Sequence, residues 1–569
     1  MKVLKFFIVL TSIALLGATS SAIKLNFVDS SATANLSVVT YTGGAEKNHI
    51  LESTGNGVVV FDFDGDLDQD IYFVNAFRFP SKGKTEPHPN VLYRNDGKGK
   101  FTDVTKAAGV GAEAYGQGGC IGDVNNDGKP DLYITNFGPD ILYKNNGDGT
   151  FTDITTAAGV SDPRWSIGCT FFDADGDGDH DLYVANYLDA TWEEIHAAKR
   201  TRQWRGKVPV LDGPKGLPGG IDSFYINNGN GTFTEAREKS GLKAGSDFYG
   251  MSVVSFDYDK DGDIDLYVAN DSTPNCLYRN RGNGAFEEVG TPTGTAYNAD
   301  GEEQGSMGIG VGDYDNDGWF DLIVTNFAHD YDTLYRNHNG KFFTDESFAA
   351  GIAIPTFVPL AWATFFVDLD QDRDLDIFVA NGHIYPQVDQ NRDLNESYRQ
   401  QNTIFQNEGN RKFKNVSAES GPAMQLKKSG RGGAFADFDN DGDLDVIISN
   451  QDEKPTYLEN RSQLSGNHWI SLQLIDTKGS PIALGARVIV TAGGVAQHRQ
   501  ISSGGSYASQ SDLRLHYGLG NLTSVDQIEI RWPDGTTQKH SGVQADNFYL
   551  IKRGAEPTVQ RGGAAEEQR

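Results

Sequence analysis

A nine-residue acidic loop leading straight into an apolar strand recurs seven times in this chain. The copies read DFDGDLDQD from Asp62, DVNNDGKPD from Asp123, DADGDGDHD from Asp173, DYDKDGDID from Asp257, DYDNDGWFD from Asp313, DLDQDRDLD from Asp368 and DFDNDGDLD from Asp437. Each sets oxygen-bearing side chains at positions 1, 3, 5 and 9, and most carry glycine at position 6, where the chain must turn sharply. With a backbone carbonyl at position 7, that spacing is what a hard cation of calcium size requires. One such loop would be a weak signal. Seven in register constrain the fold as well as the chemistry.

The candidate calcium ligands are Asp62, Asp64, Asp66, Asp68 and Asp70; Asp123, Asn125, Asp127, Lys129 and Asp131; Asp173, Asp175, Asp177, Asp179 and Asp181; Asp257, Asp259, Asp261, Asp263 and Asp265; Asp313, Asp315, Asp317, Trp319 and Asp321; Asp368, Asp370, Asp372, Asp374 and Asp376; and Asp437, Asp439, Asp441, Asp443 and Asp445. The position-7 residue enters by its carbonyl, so Lys129 and Trp319 are tolerated there. Leu67 and Arg373 replace the position-6 glycine, where a side chain at positive φ costs on the order of 1 kcal/mol. Those two loops are expected to bind more weakly than the loops at Asp173, Asp257, Asp313 and Asp437.

The formal net charge of −29 excludes nucleic acid and anionic membrane as partners. Much of it sits in the loops, so the carboxylates read as ligands awaiting cations. Residues 1–22 read as an export signal: Lys2 and Lys5, an apolar core, then Ser20, Ser21 and Ala22 before a cleavage site. No later stretch reaches the ~20 apolar residues of a transmembrane helix, so the expected location is secreted, periplasmic or cell-surface. Cys120 lies three residues before its loop and Cys169 four, on opposite faces of their strands, which argues against a disulfide between them.

Successive loops begin 61, 50, 84, 56, 55 and 69 residues apart. Each follows a glycine-rich strand such as GQGGCIGD and precedes an alternating strand and a hairpin such as LYRNDGKGKFTDV, whose Asn/Asp/Gly turn is a strong hairpin signal. Four strands per unit predict an all-β fold, a seven-bladed β-propeller over residues 23–460. The seventh unit lacks its outer strand, and the sequence from Phe27 to Ser30 imitates that strand, so the N-terminal segment is expected to close the ring. A linker at 461–466 leads to a small antiparallel β-domain at 467–553, and 554–569 reads as a disordered tail.

These repeats resemble the FG-GAP/VCBS type of calcium-loop propeller found in integrin α-subunit heads. Residues 467–553 resemble the ASPIC/UnbV domain through GNHWISLQL from Gly466, LGARVIVTAGG from Leu484, SGGSYASQSD from Ser503, LHYGLG from Leu515 and IEIRWPDG from Ile528. The domain order is that of the cartilage acidic protein family and its bacterial relatives. The resemblance implies a calcium-loaded propeller used in adhesion or recognition. The animal members are rich in disulfides, and this chain has three cysteines, which favours a bacterial exported relative.

The remaining question is chemistry beyond calcium. No G-x-S-x-G, H-E-x-x-H or phosphate-binding glycine loop is present in the sequence. The plain reading is that calcium is structural. In an up-and-down propeller the acidic loops share one face with the Asn-Gly turns, and the longest insertions occupy the other. Residues 187–222 carry Trp192, Arg202, Trp204 and Arg205 in a basic, aromatic cluster suited to an acidic glycan or protein. The alternative is that the tryptophans merely pin the loop while the arginines stay solvated. The preferred function is a non-catalytic calcium-binding recognition or adhesion protein with an extracellular glycan or protein ligand. The second is a carbohydrate-active enzyme such as a polysaccharide lyase, with Arg431 neutralising a uronate and His383 or Tyr385 as base.

Overall fold

The computed structural model describes residues 24–560, except 82, 199, 243–247 and 465. The export signal lies outside the described residues. Seven four-stranded antiparallel sheets each contain one acidic loop between their first and second strands. They are named blades 1 to 7 in chain order: residues 58–103, 115–153, 166–235, 250–288, 309–345, 361–415, and 430–460 with Phe27–Asp29. First strands of successive blades touch all the way round, with blade 7 meeting blade 1, so the sheets close into a propeller. Blade 7 takes its outer strand from the N-terminal segment, which pairs Phe27 with Asn460, Val28 with Glu459 and Asp29 with Leu458.

The C-terminal domain is a sandwich of two four-stranded sheets. One contains Leu515–Gly520, His468–Ile475, Asn547–Lys552 and Thr558–Gln560; the other contains Val495–Gln500, Arg487–Ala492, Ser524–Arg531 and Thr537–Gln544. Two expectations need correction. The domain is not antiparallel throughout, since His468–Ile475 and Asn547–Lys552 run parallel. Nor is 554–569 structureless from its start, because Thr558–Gln560 pairs with the strand before it.

This domain sits on the acidic-loop face and bonds every loop. Arg514 donates to the Leu67 carbonyl, Ser480 to Asp123 by its hydroxyl and to the Gly178 carbonyl by its N–H, and Arg487 to the Gly318 carbonyl. Gln500 accepts from the Asp257 N–H, Gly520 N–H donates to the Gln371 carbonyl, and His516 Nε2 bonds the Gly442 carbonyl.

Between two of its strands the domain sends residues 501–512 into the central channel. Gln510 bridges Val59, Gly504 bridges Val254 and Ser506 bridges Ile309, all on first strands. Tyr507 is fully buried, edge-on to Trp362 with ring centroids 4.6 Å apart, and accepts the Gly55 N–H. The glycine-rich first strands make this passage possible. A Cβ on Gly57 would lie 2.0 Å from the Ala508 carbonyl oxygen, and one on Gly118 2.6 Å from the same atom.

Cys120 and Cys169 form a disulfide with Cα atoms 5.8 Å apart, against expectation. Neighbouring blades meet with opposite sheet faces. Cysteines one residue out of phase on equivalent strands therefore point at each other across the blade boundary.

Candidate metal centres

Each loop folds around its own carboxylates. In every loop but the one at Asp257 the position-1 aspartate accepts backbone N–H groups from positions 4 to 6, as Asp123 does from Asp127 and Gly128 and Asp437 from Asp441 and Gly442. The position-5 aspartate accepts the N–H of position 7, as in Asp317 with Trp319. Two residues per loop take left-handed backbone. Position 6 does so whether it is Gly442 at φ 96°, Leu67 at 76° or Arg373 at 87°, and position 4 follows with Asn126, Lys260, Asn316, Gln371 and Asn440.

Position 9 fixes the loop to the rest of its blade. Asp131 accepts the Val124 N–H on one oxygen and the Asn145 N–H on the other, and the same pair of bonds recurs at Asp70, Asp181, Asp265, Asp321, Asp376 and Asp445.

The result is an array of converging acids. In the loops at Asp173, Asp257 and Asp313, carboxylate oxygens from positions 1, 3 and 9 lie within 4.8 Å of one another; at Asp62 and Asp368 the converging positions are 1, 3 and 5. Burial, reinforced by neighbouring aspartates, pushes Asp131 and Asp313 up to about 7 and Asp62, Asp173 and Asp257 to about 6. One oxygen at position 3 is buried without any hydrogen-bond partner in five loops, at Asp64, Asn125, Asp175, Asp315 and Asp370. Buried polar atoms rarely stay orphaned. A hard cation would satisfy these oxygens and remove the repulsion at one stroke, so the donor set fits calcium.

Position-7 side chains turn toward the preceding loop. Asp68, Asp179, Asp374 and Asp443 accept from Asn440, Asn126, Asn316 and Gln371, and Lys260 lies 3.8 Å over the Trp319 ring. The pattern also failed to reveal a competitor: Arg336 forks onto Asp315 and Asp317, two ligands of a loop expected to be strong.

A larger omission is the asparagine that ends the third strand of every blade. Its side-chain amide donates to the position-2 carbonyl of the preceding blade's loop, at 2.8–3.2 Å for Asn95, Asn145, Asn227, Asn280, Asn337, Asn407 and Asn460. Asn95 reaches back to blade 7, so the clamp runs unbroken round the ring. The signal was the N of every LYRN, FYIN or TYLEN, read only as the start of a turn. We expect Asn337→Ala to cost about 2–3 kcal/mol in denaturant unfolding, since it strands the buried Tyr258 and Phe320 carbonyls.

The opposite face is assembled differently. Trp204 is buried, ringed by Phe327, His383 and Tyr385, with its indole N–H on Glu396. Trp192 is half-buried against Phe79, Tyr115 and His196. Both tryptophans therefore pin the insertion, and Trp204 offers no face to a ligand. Arg202 and Arg205 are exposed; Arg202 lies 5.1 Å over the Trp204 ring and Arg205 bonds the His329 ring.

The residues considered for lyase chemistry are also interior. Arg431 is fully buried over Trp362 and donates to the carbonyls of Ser53, Gly382 and Gly430. Tyr385 is buried, and His383 accepts the Tyr385 N–H beside Glu396. Burial works against the Glu396 charge, yet the His383 ring 3.2 Å away and hydrogen bonds with His329 and Trp204 hold its carboxyl down at about 2. This cluster joins insertions of blades 3, 5 and 6.

Against known proteins, residues 62–134, 123–184, 216–268, 257–324, 313–379 and 389–448 match the FG-GAP-like repeat, more than half of the chain. The chain belongs to the FG-GAP-like repeat family. Residues 476–558 match the ASPIC and UnbV domain, so FG-GAP repeats and this sandwich occur together here. Cartilage acidic protein 1 of Xenopus tropicalis is 29% identical over 275 residues, 48% of this chain and 40% of that protein. The Homo sapiens protein of the same name is 29% identical over 278 residues, 48% of this chain and 39% of its own. The match thus spans about two fifths of those relatives' length. Among solved structures, an Agrocybe aegerita lectin specific for non-reducing terminal N-acetylglucosamine aligns over 63% of this chain and 80% of its own, at TM-score 0.37 and 16% identity. Among the described residues no helix is long and apolar enough to cross a membrane.

Proposed function

We propose that this FG-GAP protein is an exported, non-catalytic recognition or adhesion protein whose propeller is rigidified by calcium in the seven loops. Positions 1, 3, 5 and 9 would hold the ions by side-chain oxygen and position 7 by its carbonyl. The ion supplies charge neutralisation and a fixed loop geometry; the protein's residues supply everything a ligand touches.

The observation that supports a recognition role is the division of labour between the two faces. The C-terminal domain occupies the acidic-loop face, bonding all seven loops. The opposite face keeps Arg202, Arg205 and Lys207 exposed on an insertion locked down by Trp192 and Trp204. Loops held rigid on a scaffold are favoured binding elements, and these cations stand out against a net charge of −29. The ligand class this suits is an acidic glycan or acidic protein segment.

The test is a glycan and protein binding screen in calcium, followed by Arg202→Ala/Arg205→Ala. The double variant should lose at least about tenfold in affinity and most of its salt dependence, since exposed charges act over a Debye length of ~8 Å, with melting unchanged. Binding that survives the double change would place the recognition surface elsewhere.

A further inference from the structure

The acidic loop of blade 5 is met by positive side chains on several sides. Arg336 forks onto it, with Nε 2.7 Å from an Asp315 oxygen and Nη2 2.8 Å from an Asp317 oxygen. Arg487 of the C-terminal domain donates to the Gly318 carbonyl and lies 4.6 Å over the Phe320 ring, and Lys260 lies 3.8 Å over Trp319. We propose that this loop is held by the protein's own cations, Arg336 foremost, and that it takes calcium last, at least about tenfold more weakly than the loop of blade 3. The proposal rests on the calcium reading above and reverses, for this loop, the order expected from glycine at position 6.

Strand register explains the exception. Arg336 stands one residue before the clamp asparagine Asn337, and the same position holds Arg94, Lys144, Ile226, Arg279, Gln406 and Glu459 in the other blades. Gln406 makes the uncharged version of the contact, 2.6 Å from the position-3 Asp370. Arg279 is paired across its hairpin with Glu287 and bonds it at 2.7 Å, so its charge is neutralised there. Arg336 is paired instead with Thr344, which offers no carboxylate, and turns to its loop. Arg94 stands exposed, and Ile226 has no charge to bring.

The oxygen that Arg336 takes is the one an ion needs. Among the described residues, Asp177, Asp261 and Asp441 at position 5 accept the position-7 N–H on one oxygen and no other hydrogen bond, which leaves the second oxygen for a cation. At Asp317 the first oxygen accepts the Trp319 N–H and the second accepts from Arg336. A divalent ion entering here must displace the guanidinium or sit close beside it, where like charges repel strongly in a partly buried site. Asp315 is only 7% exposed and keeps its other oxygen buried without a partner. The donor set is therefore complete once the arginine is removed.

The test compares Arg336→Ile, which installs the residue of blade 3, with Ile226→Arg, which moves the arginine to blade 3. Loop 5 is read directly by terbium, a hard ion with calcium's preference for oxygen, because Trp319 stands in the loop and sensitises its emission; Trp319→Phe supplies the blank. Trp319-dependent emission should saturate at a terbium concentration at least about tenfold lower in Arg336→Ile than in the wild type, a gain of about 1.4 kcal/mol. Arg336→Gln, the residue of blade 6, should fall between them. The melting midpoint of Arg336→Ile should fall in chelator, where the loop has lost its internal cation, and rise in calcium, where the site now fills. A packing defect would lower both. Ile226→Arg should cut calcium uptake in equilibrium dialysis by one equivalent. Equal saturation in wild type and Arg336→Ile, in a protein that still takes up calcium, would overturn the proposal and leave the calcium reading standing; a wild-type chain that takes up no calcium would overturn both.

Discussion

Chelation of calcium should lower the melting midpoint by on the order of 10 °C, and magnesium should not restore it. At a hundred times its dissociation constant each ion adds about 2.7 kcal/mol to the folded state. Four filled sites then contribute about 11 kcal/mol, comparable with the entire stability of ~5–15 kcal/mol typical of a folded protein. Magnesium demands a tighter octahedral shell and dehydrates reluctantly, so it fits a loop of spread carboxylates poorly. Differential scanning calorimetry with chelator and with each ion measures the effect. An unchanged midpoint after chelation would sink the reading.

The chelated protein carries a second signature in its pH dependence. Burial and neighbouring aspartates raise Asp62 and Asp173 to about 6 and Asp131, Asp313 and Asp443 to about 7. In the unfolded chain the same groups titrate near ~3.9. The folded apo state therefore binds more protons than the unfolded state between about pH 7 and 4, and its stability rises as pH falls through that window. The calcium-loaded protein should behave oppositely, because protons displace the ions. Melting scans from pH 8 to 5, with and without chelator, should give slopes of opposite sign.

The propeller was legible because repetition averages out ambiguity: seven copies of one loop, strand and hairpin leave little choice of architecture. The N-terminal strand that closes blade 7 was legible too, and what escaped depends on partners in other repeats. Asn145 looked like a turn residue because its acceptor, the Phe63 carbonyl, is 82 residues away. The cysteines were misjudged because strand faces were compared within one sheet, whereas the disulfide crosses between sheets. SGGSYASQSD reads as a loop of small residues, and only the closed ring shows why it must be small: it threads a channel whose glycines Gly57 and Gly118 leave no room for a Cβ. Trp204 stood out as an aromatic beside arginines, but the carboxylate its indole bonds, Glu396, belongs to another blade's insertion.

Deleting residues 23–36 should abolish the folded ring, whereas ending the chain after Ala555 should be nearly silent. The N-terminal segment buries Leu25, Phe27 and Leu36. At ~1.5–3 kcal/mol each, their loss amounts to about 5–9 kcal/mol before any hydrogen bond is counted. The backbone loss is added to this. Phe27 donates to the Ser420 carbonyl, Ser30 to that of Tyr457, and the Ala34 carbonyl accepts from Phe101, so the segment ties blades 6, 7 and 1 together. Without it the edge of blade 7 is also left open as a template for aggregation. The other terminus has little to lose, because Thr558 and Val559 are exposed on the edge of the sandwich. The two truncations are compared by circular dichroism melting and size-exclusion chromatography, with a synthetic 24–36 peptide added back to the first. Recovery of a cooperative transition on adding the peptide is the expected result, since the missing strand carries its own pairing register with Thr456–Asn460. A monomer that melts at the wild-type midpoint without residues 23–36 would show that the ring does not depend on this strand for closure.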